Sequence, residues 1–398
     1  MRTYSPTDVG GSAVKIEGVA VAGAGMTRFG RYPDRSGANL AREAGLAALH
    51  DAGMTLADVD EAFVGYIQPA AMIGIKAMKE LGLTGLPVTH IENASATGLV
   101  AFREAAWAVA SGRARVAMAI GFDKMSEMGR GSGSSRGTGR DQLDSTILPA
   151  AYFALWAQRR MHDHGTTAET FAAIAAKNWN HGALCPWSDR QPDHTVTVDE
   201  VLASRMISTP LTAMMACPAD DGAACIILAS TDHVRARQPG RRLVRPVAST
   251  LRSESYSPGH TFMGPVVGPA TMSRDTAMLA YEEAGLGPDD IDLALCHDAF
   301  ANEELEYYEL LGFCAEGEGD QLVAKGETAL GGRIPFNTDG GLIARGHPAG
   351  PTGLAMVHEV VQQLRHEAGP RQVEGARTAL AHLVGGGSIC TVSLFESD

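Results

Sequence analysis

The chain has 398 residues, of which 45% are hydrophobic and 20% charged, enough for two domain-sized units or one large duplicated core. Its formal net charge of −13 excludes a broad nucleic-acid-binding surface, which needs clustered basic residues. The six cysteines (Cys185, Cys217, Cys225, Cys296, Cys314 and Cys390) are scattered without a C-x-x-C pair, which predicts reduced thiols in a cytoplasmic setting and no metal or disulfide framework.

In chain order, Gly18–Gly25 is too short and too rich in glycine for a signal segment or a membrane span. Gly23-Ala24-Gly25 lacks the third glycine of a dinucleotide fingerprint, so no nicotinamide cofactor is expected. Leu49–Asp60 predicts the end of an amphipathic helix, a glycine cap at Gly53, a turn and a strand. Asn93-Ala94-Ser95-Ala96-Thr97-Gly98 then opens an apolar-periodic helix. Ser95 at this mouth is either a helix cap or a nucleophile sitting among free backbone N–H groups, and the residue alone leaves both open. Ala114–Ala119 predicts a buried strand.

The interval 123–238 opens with the solvated run Gly129–Gly139, continues through helices near Tyr152–Asp163 and Glu169–His181, and ends with Ala216–Leu228 entering a buried strand. It predicts a lid built on the core. Three earlier segments then recur in the same order. Tyr281–Asp292 resembles Leu49–Asp60, Thr352-Gly353-Leu354 repeats Thr97-Gly98-Leu99, and Ala376–Ala381 matches Ala114–Ala119. Strands alternating with helices predict an α/β fold with two βαβαβ-type halves, divided as 1–122, 123–238 and 239–398.

Three loops in the second half carry chemistry. Cys296-His297-Asp298-Ala299-Phe300 follows the strand Ile291–Leu295, where parallel sheets place their sites, although an incidental surface histidine fits equally. His347, between Gly346 and Pro348, arrives at the mouth of the repeat helix and is a candidate base for Ser95. Gly385-Gly386-Gly387 predicts either a tight turn or backbone donors aimed at a ligand.

Together, Asn93–Gly98, His297–Phe300, Gly346–Pro348 and Gly385–Gly387 resemble the thiolase superfamily from Val19 to Phe395, and within it the sterol-carrier or lipid-transfer type. The resemblance implies a duplicated five-layered thiolase fold with an inserted lid. It implies coenzyme A thioesters as substrates, an acyl-enzyme and a homodimer. It places Ser95 at the acyl-accepting cysteine, His347 as its activating base and His297 beside the thioester oxygen. Backbone N–H groups of Ser95 and of Gly385, Gly386 or Gly387 would form the second oxyanion hole. Arg130, Arg136 and Arg140 are candidate contacts for the coenzyme.

Two departures bear on activity. The family's proton-carrying cysteine is Leu383 here, and the cysteine of the His-Asp-Cys-Phe variant is Ala299. Ser95 is either a replaced cysteine or a native serine. The leading expectation is acyl transfer on 3-ketoacyl-CoA. The alternatives are retro-aldol cleavage of a β-hydroxyacyl-CoA, as in thiolase-like aldolases that work with a small zinc-ribbon/OB-fold partner, and a non-catalytic acyl-CoA- or lipid-binding subunit.

Overall fold

The structure is a computed structural model that describes residues 16–68, 71–127, 149–254, 260–261, 264–265 and 271–398. The glycine-rich run Gly129–Gly139 and Arg130, Arg136 and Arg140 lie outside the described residues.

The first half runs β1 (Val19–Met26), α1 (Gly37–Ala52), β2 (Glu61–Gly65), α2 (Ile73–Leu81), β3 (Val88–Ile91), α3 (Thr97–Ala110) and β4 (Val116–Lys124). The inserted helices α4 (Pro149–His164) and α5 (Ala168–Leu184) follow, and β5 (Asp221–Ser230) returns to the sheet. The second half runs β6 (Val244–Ser253), α6 (Met272–Ala284), β7 (Leu293–Leu295), α7 (Ala301–Leu310), α8 (Gly341–Arg345), α9 (Ala349–Leu364), β8 (Thr378–Gly385) and β9 (Ile389–Ser397).

The duplication is visible in the sheets. One has the order β1-β5-β4-β2-β3 and the other β6-β9-β8-β7. The matching pairs have matching senses: β1–β5 and β6–β9 are antiparallel, as are β5–β4 and β9–β8, whereas β4–β2 and β8–β7 are parallel. The fifth strand of the second sheet is reduced to a single parallel bridge between Ala294 and Phe336. The recurring sequence motifs fall on equivalent features. Gly53 and Gly285 cap α1 and α6 in the left-handed region at φ 63° and 72°.

Within the stretch 123–238, Asp221–Ser230 pairs between β1 and β4 and is the counterpart of β9. The described part of this stretch that lies outside the layers, from Pro149 onward, therefore ends before Asp221. Buried charge fastens it to the second half. Arg160 of α4 meets Glu306 at 3.3 Å, Glu309 at 2.6 Å and Asp320 at 2.9 Å. Lys177 of α5 pairs with Glu304, and Asn178 donates to Asp298 at 2.8 Å and Glu304 at 2.6 Å.

α1 packs outside the first sheet and α6 outside the second, with α3 and α9 between the sheets, giving five layers. α9 is covered on all sides, only Gln362 escaping full burial, and its buried Glu359 is paired with Arg371 at 2.9 Å. The first turns of α3 and α9 touch. A methyl group at Gly353 would sit 2.2 Å from the Leu99 nitrogen, and one at Gly98 would sit 2.6 Å from the Gly350 oxygen. Asp123, buried at the end of β4, accepts the Gly350 N–H at 2.6 Å and the Ile67 N–H at 3.2 Å. It thereby ties the mouth of α9 to the first sheet, and burial pushes its carboxyl up to about 7.

Because the atoms facing Gly353 are backbone and cannot swing aside, Gly353→Ala should lower unfolding free energy by about 2–3 kcal/mol. Gly287→Ala is the control, since its added carbon meets only an ordinary 3.7 Å contact. Equal denaturant midpoints for the two variants would show that the helix contact is not tight.

Candidate active site

The segment before α3 makes a sharp turn. Ala94 has φ 49°, a left-handed conformation uncommon for a residue with a β-carbon. The turn is closed by Ala96 N–H and Thr97 N–H donating to Asn93 and Ala94 carbonyls, and by Asn93 N–H donating to Thr97 Oγ1 at 2.7 Å. Ser95 does not cap the helix. The cap position is Ala96, and the half-buried Ser95 hydroxyl lies 3.0 Å from His347 Nε2.

The other ring nitrogen decides which way that bond runs. Thr352 Oγ1 donates to the Pro348 carbonyl at 2.8 Å, so toward His347 Nδ1, also at 2.8 Å, it can only accept. The proton of the neutral ring is therefore on Nδ1, and Nε2 accepts from the Ser95 hydroxyl. Burial, followed by the charges of His297 and Arg345, holds His347 well below its usual range, so the ring stays a neutral base.

The loop carrying His347 is held from several sides. Asp298 accepts the Leu342 N–H at 2.6 Å and the Ile343 N–H at 3.4 Å at the start of α8. Arg345 pairs with Asp339, and Arg190 donates to the Ile343 carbonyl at 2.7 Å. The dipeptide His297-Asp298 thus divides its work, with Asp298 bracing this loop. The His297 ring stands edge-on to His347, centroids 5.5 Å apart. Its Nδ1 lies 2.9 Å from Glu303 Oε1, and Glu303 also receives the Phe300 N–H and the Tyr307 hydroxyl. Its Nε2 is buried with no hydrogen-bond partner, which calls for an explanation in a polar atom.

Gly385, Gly386 and Gly387 join β8 to β9, the last two at φ 56° and 76°. The turn lies against the Ser95 loop. A methyl group at Gly385 would fall 2.1 Å from the Asn93 oxygen, and one at Gly386 would lie 3.7 Å from the Ala94 β-carbon. Glycine is required here for close approach to the Ser95 loop, as the tight-turn expectation has it.

Leu383 and Ala299 are both buried. Cys390 lies on the final strand with its sulfur 3.8 Å from Ser273 Oγ, and burial pushes the thiol up to about 12. His382 turns to Ser273 at 2.9 Å, and burial takes it down to about 3. All six cysteines are free. Gly23 and Gly25 serve packing, because added methyl groups would strike the α1 backbone at 2.2 and 2.4 Å.

Thr352 and Glu303 escape sequence reasoning. Thr352 registers only as a repeat marker, and its distance of five residues from His347 follows no standard motif. Glu303 lies six residues after His297, one turn into a helix whose start the sequence does not mark. Among the described residues no cluster of three or more His, Cys, Asp or Glu side chains could hold a metal ion, and no helix is long and apolar enough to cross a membrane.

Comparison with known proteins places this geometry in a family. The family model described as "Thiolase, N-terminal domain" matches residues 19–232, and "Thiolase C-terminal domain-like" matches 260–395. Sterol carrier protein 2 of Homo sapiens is 38% identical over 394 residues, covering 95% of this chain and 72% of that protein. An acetyl-CoA acetyltransferase of Methanothermobacter thermautotrophicus is 37% identical over 388 residues, covering 95% of this chain and 99% of that one. Among solved structures, the Ltp2-ChsH2(DUF35) aldolase superposes with a TM-score of 0.82 at 25% identity, covering 96% of this chain and 98% of the other. The chain belongs to the thiolase family.

Proposed function

We propose that this chain transfers acyl groups from 3-ketoacyl-CoA to coenzyme A through an ester on Ser95. The observation that carries this reading is the Ser95–His347–Thr352 relay: a hydroxyl 3.0 Å from a ring nitrogen whose partner nitrogen is fixed in the protonated form. His347 takes the Ser95 proton as the oxygen attacks the 3-keto carbon. The Cα–Cβ bond then breaks, leaving the acyl group on Ser95 and the enolate of the shorter thioester. The unpartnered Nε2 of His297 suits the thioester oxygen, where the enolate charge develops. N–H groups of Ser95 and of the Gly385–Gly387 turn suit the oxygen of the carbonyl under attack. The thiol of coenzyme A, a substrate here, then displaces Ser95.

The chemistry of serine sets its pace. A thiolate forms readily at a helix mouth, whereas a hydroxyl needs its base throughout. A lid built from the described residues 149–220, a cytoplasmic homodimer and the division into halves on either side of the lid belong to the same reading.

Retro-aldol cleavage of a β-hydroxyacyl-CoA is the second reading. The aldolase superposition favours it, as does the loss of proton-carrying cysteines at Leu383 and Ala299. It needs a base and an enolate hole but no ester, and it would bring a small zinc-ribbon/OB-fold partner.

Intact mass after incubation with an acyl-CoA should show one acyl adduct, absent in Ser95→Ala, and Ser95→Cys should speed thiolysis. Aldehyde or ketone release from a β-hydroxyacyl-CoA that survives Ser95→Ala would favour the aldolase instead. Removing the acceptor of the His347 Nδ1 proton in Thr352→Val should slow acylation about 10–100-fold, whereas Thr352→Ser should retain most of the rate. Because protonation disables the base and His347 titrates below its ordinary range, acylation should hold its rate as pH falls through 6.5. A rate that halves at or above pH 6.5 would contradict the assigned base.

A further inference from the structure

Breaking the Cα–Cβ bond leaves an enolate that must receive a proton, and neither Leu383 nor Ala299 can give one. We propose that Cys217, on the inserted segment, is the proton carrier of the carbon–carbon cleavage, standing opposite Ala299 beside an isolated antiparallel bridge. The proposal rests on the acyl-transfer reading above.

The placement follows from backbone geometry. The Cys217 N–H donates to the Ala299 carbonyl at 2.9 Å, and the neighbouring residues Ala216 and Phe300 form an antiparallel bridge. Cys217 and Ala299 are therefore directly opposite, with side chains on the same face and β-carbons about 5 Å apart. A sulfur carried by Cys217 reaches the surroundings of Ala299 from the facing strand.

This strand is pinned. Arg190 donates to the Ala216 carbonyl at 2.8 Å and to the Ile343 carbonyl at 2.7 Å, linking the Cys217 segment to the helix that leads to His347. The charges that act on the thiol include Asp298 and Glu303, and Glu303 is the residue that holds His297. An independent feature lies on the same loop, two residues before Ala299: His297 is only 6% exposed, yet its Nε2 has no partner. Cys217 is a partly buried residue packed against the core, and desolvation pushes its thiol up to about 12, which keeps it protonated at neutral pH.

The proton inventory closes. As the Cα–Cβ bond breaks, its electron pair goes to Cα, and the Cys217 S–H delivers its proton there to form a C–H bond. The resulting thiolate takes the proton of the coenzyme A thiol. The coenzyme sulfur attacks the ester, Ser95 oxygen leaves, and it recovers its proton from His347. Cys217 and His347 end as they began.

The test compares two donors that leave the same acetyl ester on Ser95, with adduct formation timed by intact mass. Acetoacetyl-CoA needs a proton on carbon. Acetyl-CoA expels a thiolate that is stable without one. Cys217→Ala should slow acylation by acetoacetyl-CoA about 100-fold or more while changing acylation by acetyl-CoA less than about threefold. Adding Ala299→Cys to Cys217→Ala should restore most of the lost rate. Cys217→Ser, read by the same ratio, serves if the alanine variant folds poorly. Equal slowing with both donors would mark Cys217 as structural and overturn the proposal. An unchanged rate with both would overturn it while leaving the acyl-transfer reading intact. No adduct from either donor in the unaltered chain would remove that reading, and the proposal with it.

Discussion

Everything at the candidate site depends on how closely two helices meet. α3 and α9 come from different halves of the chain and are buried between two sheets. Gly98 and Gly353 let their first turns approach until backbone meets backbone. At that separation Ser95, at the mouth of one helix, and His347, beside the mouth of the other, fall within a hydrogen bond although 252 residues separate them. Any side chain in the contact would part the helices, and with them the hydroxyl and its base. The packing of the core and the chemistry of the site are one constraint.

Charge is distributed around this centre by function. The two rings that face each other, His297 and His347, are held in different ways: one by a carboxylate, the other by a hydroxyl. The Glu303 carboxylate orients the first ring, and the Thr352 hydroxyl fixes the proton of the second on Nδ1. Other buried acids brace the surroundings: Asp298 accepts backbone N–H groups at the start of α8, Asp123 accepts one at the start of α9, and Glu304 accepts side-chain donors from the inserted helix α5. Burial outweighs the N–H donors at Asp123 and Asp298 and raises both carboxyls, and the result of these contacts is a rigid surround for three loops.

The fold was legible in the sequence because duplication writes the same local grammar twice. Helix, glycine cap, turn and strand at Leu49–Asp60 reappear at Tyr281–Asp292, and both copies take the expected form. The pairing of Ser95 with His347 was also legible, since the repeated Thr-Gly-Leu motif aligns the two helix mouths. What stayed hidden was whatever depends on side-chain direction between distant segments. Thr352 lay in plain view inside the repeat, but only three-dimensional geometry shows its hydroxyl engaging a histidine. The strand Asp221–Ser230 reads as part of an insertion because its partners, β1 and β4, are far away in sequence. Cys217 has no local motif at all, and its place opposite Ala299 arises from a bridge between the inserted segment and the second half.

A chain built from two similar halves has two helix mouths, and symmetry alone would offer a reactive side chain at each. Counting from the Thr-Gly-Leu repeats, the mate of Ser95 is Gly350. A β-carbon there would sit 2.6 Å from Asp123 and 2.9–3.0 Å from the backbone of Tyr66 and Gly65. The second position is therefore filled by packing and stripped of any side chain, and its N–H is committed to a carboxylate rather than left for a ligand. One helix mouth carries a hydroxyl and the other carries no side chain, with His347 arriving beside it: an internal dimer whose twofold character survives in the sheets and is lost at the helix mouths.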